Sequence, residues 1–170
     1  MSCLEKISKN VLNSCDEIPR AGLETVAWAI NRSEIDSVTF DVDNPVIVTD
    51  ISWQLGVKSY TLTAVKKEGN VGFDAVQSDD VSDTYKQYFS FYPYEQDSEA
   101  IKNLDDMQDL VIIAELKGSK TEGCFIILGV ENGLYKVNSS QRKNDTHGIP
   151  LYEWESNEGE GEKYAWSRDC

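Results

Sequence analysis

Asp41-Val42-Asp43-Asn44 puts three oxygen-bearing side chains within four residues, a set that could ligate a hard cation such as calcium. The EF-hand spacing and its closing glutamate are missing, however. Asp79-Asp80 and Asp105-Asp106 are adjacent pairs of the kind used by carboxylate hydrolases and metal nucleases. With 30 acidic residues in the chain, such pairs arise by composition alone, and a solvated acidic face or loop is the simpler account. A nucleophilic hydrolase needs a base, and histidine is the usual one. The chain has one, His147, in Lys-Asn-Asp-Thr-His-Gly-Ile-Pro, which has the composition of a solvated loop. Gly129, in Leu-Gly-Val-Glu-Asn-Gly, lacks the neighbouring glycines and the following helix of a phosphate loop, so turn chemistry explains it.

Four cysteines complete the inventory: Cys3, Cys15, Cys124 and Cys170. None forms a Cys-x-x-Cys pair, so no zinc site has recognisable spacing. Cys124 lies in an apolar run and reads as a small buried hydrophobe, while the other three lie near the termini and read as reduced and inert. No catalytic, cofactor-binding or metal-binding constellation emerges, and the sequence is read as that of a non-enzyme.

The whole-chain properties narrow the function classes further. The 170 residues suit one domain, 1–170, and 40% apolar with 27% charged residues suits a folded soluble chain. No apolar run reaches the roughly 18 residues that span a bilayer. The opening MSCLEKISKN carries charges where a secretory signal needs its apolar segment, so synthesis in the cytoplasm without export is expected. Sixteen Lys and Arg against 30 Asp and Glu give a net charge of -14. Such a surface repels phosphates and has no counterion release to drive binding, which argues against sequence-specific nucleic-acid recognition. Acidity serves solubility; it also suits a wall along which nucleic acid must slide without sticking.

The elements that would position any site are mostly strands. Leu4, Ile7, Val11 and Leu12 share a helical face, which makes 1–21 an N-terminal arm or short helix. From Leu23 the period is two. Val26, Trp28 and Ile30 alternate with Thr25, Ala27 and Ala29; Val38, Phe40 and Val42, then Val46 to Val48, follow; and Tyr60, Leu62 and Ala64 alternate with Ser59, Thr61 and Thr63. The glycines and acids of 67–83 predict a long loop. In Thr84 to Tyr94 both faces are aromatic, Tyr85, Phe89 and Phe91 on one and Tyr88, Tyr92 and Tyr94 on the other, so the strand is either central or covered by a partner.

One internal helix is predicted over 97–108, capped by Asp97 or Ser98, with Glu99 in its first turn and Ile101, Leu104 and Met107 spaced three apart. The runs around Val111, Ile113, Ile126 and Leu128 are apolar on both faces and predict a hairpin at the centre of the sheet. Asn132-Gly133 then predicts a tight hairpin turn into Leu134-Asn138. Leu151, Tyr152 and Trp154 predict a last strand, 155–163 a flexible acidic tip, and Tyr164 to Trp166 a short return. Eight to ten short strands with one helix predict a mainly β chain, an antiparallel sandwich or barrel with one flanking helix.

A resemblance adds to this pattern. Cys3, Cys15-Asp16, Ala21-Gly22-Leu23 and Ala29-Ile30-Asn31 resemble the opening of virion structural proteins of phages and prophages of Bacteroides-type gut bacteria. Phe125 to Leu134, Asp145 to Gly148 and Leu151-Tyr152-Glu153 are similar to the late hairpin and closing strand of phage tail-tube and ring proteins. The resemblance implies a tail-tube-like fold whose copies form hexameric or dodecameric rings that stack into a channel for DNA. It implies a place in the virion, made in the bacterial host cytoplasm, with partners that are sister copies and other head-tail or tail proteins. The rival expectations are a carbohydrate-binding or adhesin module using Tyr- and Trp-rich strands, and a metal-dependent hydrolase using Asp41, Asp43 or Asp79 and Asp80.

Overall fold

The computed structural model describes residues 23–64, 69–76, 84–93, 97–116, 124–139, 150–157 and 164–165. The chain enters with β1 (Leu23–Asn31), makes a 3-10 turn at Arg32–Glu34, and continues into β2 (Ile35–Phe40) and β3 (Val48–Trp53). Then come β4 (Tyr60–Thr63), β5 (Asn70–Val76), β6 (Thr84–Phe91) and the helix α1 (Ser98–Asp106). The remainder is β7 (Leu110–Leu116), β8 (Cys124–Leu128), β9 (Leu134–Ser139), β10 (Tyr152–Ser156) and β11 (Tyr164–Ala165).

Nine strands form one antiparallel sheet that forks at β7. On one side runs β4-β1-β7-β8-β11; on the other runs β9-β10-β6-β5, joined to β7 through the pair Leu110 and Leu134. The two branches face each other over one core. Ala27 and Ala29 of β1, Ile112 and Ala114 of β7, and Ile126 and Leu128 of β8 pack against an aromatic layer from β6 and β10. In that layer Phe91 and Trp154 stack at 5.6 Å, Tyr152 and Trp154 at 5.9 Å. Ring pairs of this geometry contribute about 0.5–1.5 kcal/mol each beyond the area they bury. Small side chains on β1 therefore share this core with large rings, an alternation of sizes that suits close packing.

The separate β2–β3 ribbon covers the outer face of β7 and β8, with Val48 and Ile51 against Val111 and Ile127. β7 thus lies between two cores, which is why its run is apolar at every position from Leu110 to Ala114.

The sandwich with one flanking helix agrees with expectation, and α1 begins one residue after Asp97, as its capping sequence predicts. Four other expectations are corrected. The sheet is open, not a barrel: among the described residues β4, β5 and β11 each have one unpaired edge, because both edges of β7 are used by the fork. The region 67–83 is not one loop, since Asn70–Val76 pairs with β6 over its whole length. Its Gly72 is a packing seat: the Tyr88 ring lies where a Cβ would stand. This also covers Tyr88, on the second aromatic face of β6, from within the chain. Finally, Asn132-Gly133 makes no hairpin. β8 and β9 do not pair with each other; both pair with β7, and the Gly133 amide donates to the Gly129 carbonyl at 2.9 Å in a wider turn. The acidic tip begins later than 155, because Glu155 and Ser156 belong to β10, and the rest of it from 158 lies outside the described residues. So does the arm, 1–21.

Candidate functional site

The sequence-level candidates resolve into structural roles. Asp41 Oδ1 accepts hydrogen bonds from the backbone amides of Asp43 at 2.9 Å and Asn44 at 3.1 Å, so this cluster builds the β2–β3 turn. Asp105 forms an ion pair with Lys136 of β9 at 2.9 Å, and the same ammonium donates to the Asp105 carbonyl at the end of α1. Cations at that end of a helix complement its dipole. Gly129 has φ of +79° and donates its amide to Gln87 Oε1 at 2.7 Å, where a phosphate loop would have left that amide for a ligand. Cys124 pairs with Leu116 in the sheet. Asp79, Asp80, His147, Cys3, Cys15 and Cys170 lie outside the described residues. Among the described residues no three His, Cys, Asp or Glu side chains gather as a metal site would require, and no helix is long and apolar enough to cross a membrane.

What the sequence did not reveal is a groove of about 830 Å³ between β4 and α1. One wall is Ser59, Tyr60, Thr61, Leu62 and Thr63, in unbroken succession. Side chains of a strand alternate between faces, so five successive lining residues mean that the strand presents its edge to the groove. The opposite wall is the face of α1 that carries Asp97, Ala100, Asn103, Leu104 and Met107, with Glu99 and Asp106 also on the lining. Phe91 and Leu110 contribute to the apolar floor.

α1 is held in place from three directions. Asp97 Oδ1 accepts from the Ala100 amide at 2.7 Å, closing the first turn. Leu104 is buried in the main core. The Trp154 indole donates to the Met107 carbonyl at 3.1 Å, satisfying one of the carbonyls a helix end leaves over. The groove is therefore a gap between two anchored elements. Among the described residues its polar groups are Asp, Glu, Asn, Ser, Thr and Tyr, with no Lys or Arg.

A second surface feature is the β2–β3 ribbon. Its outer edges are unpaired among the described residues, and Val42 and Leu55, beyond its opposite ends, are fully exposed. Trp53, the last residue of β3, is 43% exposed. Compared with known proteins, the chain matches no family model, no curated protein and no solved structure.

Proposed function

We propose that the protein is a structural subunit of a phage-type virion, which assembles with copies of itself into a ring or tube and has no catalytic role. The observation that carries the assembly reading is the β2–β3 ribbon, with two open edges and large apolar side chains exposed at both ends. Open edges and exposed apolar side chains are aggregation liabilities in a monomer, and a fold normally blunts them. A head-to-tail ring joins two different patches of each subunit, and the Val42 end and the Trp53–Leu55 end supply two. The virion setting rests on the sequence resemblance. The net charge of -14 suits a channel wall that DNA passes without binding.

The rival reading as a sugar-binding module has less to work with. Phe89, Phe91, Tyr152 and Trp154 are core, and the large aromatic side chains exposed among the described residues are Trp53 and Tyr60. Light scattering after size exclusion, with electron microscopy of the same fractions, tests assembly. The expectation is a concentration-dependent closed ring that Leu55→Asp and Val42→Asp each abolish while leaving the monomer folded. A strict monomer at all concentrations, or glycan binding that needs Trp53 or Tyr60, would overturn it.

A further inference from the structure

We infer that the groove between β4 and α1 is a docking site for an extended, basic peptide segment of a partner protein, which adds to the sheet as a strand beside β4. The site is separate from the β2–β3 ribbon and does not depend on the assembly reading.

Three observations converge on it. First, β4 is an edge strand among the described residues: β1 pairs along one side of it, from Val26 with Thr63 to Ala29 with Tyr60, and no described strand pairs with the side bordering the groove from Ser59 to Thr63. That edge is about 17 Å long at the usual rise of a strand, enough for a five-residue partner. Second, the chain already uses a pairing of the proposed kind. Ala64, next along from β4, forms an isolated antiparallel bridge with Pro93. Pro93 also lines the groove, so this bridge stands at the end of the groove beyond Thr63. Third, the walls specify the chemistry of the occupant. Asp97, Glu99 and Asp106 line the groove with no cation among them. Leu62, Leu104 and Met107 of the walls, with Phe91 and Leu110 of the floor, give it an apolar base. A strand shows alternate faces, so a segment with Lys or Arg at every second position could set its cations against α1 and its apolar side chains against the base. Backbone bonds to the edge would supply affinity, and the acidic wall would select for charge.

The test uses the full chain and a fluorescent seven-residue probe, Lys-Val-Lys-Val-Lys-Val-Lys, followed by anisotropy at low ionic strength. Two further probes carry N-methyl groups on alternate residues in the two possible phases, with charge unchanged. Saturable binding is expected, weakened at least tenfold by Glu99→Lys with Asp106→Lys. One methylation phase, the one that blocks the edge facing β4, weakens binding at least tenfold and the other leaves it intact. Those Tyr60–Thr63 amides that point away from β1, every second one, gain hydrogen-exchange protection with the probe. Asp97 is left alone because it caps α1. Equal effects of the two methylation phases would reduce the site to charge attraction and overturn the proposal. So would unchanged binding to the charge-reversed variant, or absence of saturation. Protection of β4 amides on concentrating the protein without probe would mean that a second copy occupies the groove, and would overturn the basic-partner assignment.

Discussion

Gly133 and Gly56 form a paired experiment on the same backbone requirement. Both have positive φ, +76° and +88°. An L-residue in that region costs roughly 1–2 kcal/mol, partly offset by about 0.4–1 kcal/mol because alanine restricts the unfolded chain. Nothing stands within 4 Å of a Cβ built on Gly56, so Gly56→Ala should lose only the net backbone term, about 0.5–1 kcal/mol. A Cβ on Gly133 would overlap Asp109 Oδ1 and stand 3.1 Å from Arg32 Nε. These atoms form a two-pronged ion pair, Nε to Oδ1 at 2.6 Å and Nη2 to Oδ2 at 3.2 Å, and Arg32 Nη1 also donates to the Glu131 carbonyl. The hydrogen bond to Asp109 raises the Arg32 pKa. Both side chains are about one-third exposed, so the pair's worth is discounted to about 1–1.5 kcal/mol. Gly133→Ala should therefore cost about 1.5–2.5 kcal/mol, and lower Tm by about 3–10 °C in a chain of this size. Urea denaturation of the two variants reads the difference directly. If Gly133→Ala is no worse than Gly56→Ala, Arg32 and Asp109 do not lock the 3-10 turn to the Gly129–Gly133 turn as described.

Three further outcomes follow from other contacts. Gln87→Leu removes the acceptor of the buried Gly129 amide and should destabilise by about 1–3 kcal/mol in the same assay; a neutral result would mean that this amide finds another partner. Burial, and then Asp105, raise the Tyr152 pKa above its ordinary 10.0. The stabilisation from this shift is complete below the unfolded pKa and is lost as pH rises through the folded one, because the unfolded chain releases the proton first. Tyr152→Phe should accordingly lose less stability than the parent between pH 8 and about pH 11, and parallel losses would contradict this. Assembly should strengthen between roughly 0.01 and 0.15 M salt, where the screening length falls from about 30 to 8 Å, because subunits of net charge -14 repel one another. Dissociation by salt over that range, followed by light scattering, would point to ion-paired interfaces instead.

Local physics was legible in the sequence and long-range pairing was not. α1 was readable because Asp97, Leu104 and Met107 act within a few residues of one another, as cap and buried face. The runs of β7 and β8 announced burial on both faces, though not that a separate ribbon provides the second cover. β5 is hidden in the sequence because Gly72 and Asp74 have loop composition; the reason for that glycine is Tyr88, on another strand. Asn132-Gly133 has hairpin chemistry, yet the flanking strands accept β7 as their common neighbour, a choice made by the whole core. The groove was invisible for the same reason. Its two walls are about 40 residues apart in sequence, and nothing in Ser59-Tyr60-Thr61-Leu62-Thr63 names α1 as the facing element.

The central position of β7 has a consequence for how the polypeptide is made. β1 cannot complete its pairing until Ala114 has been synthesised to meet Ala27, nearly 90 residues later. On a ribosome adding about 5–20 residues each second, the N-terminal strand waits roughly 5–20 s with an apolar edge uncovered. Nascent chains released before Leu128 would lack part of the sheet's middle, and they are the species a chaperone or protease should meet first.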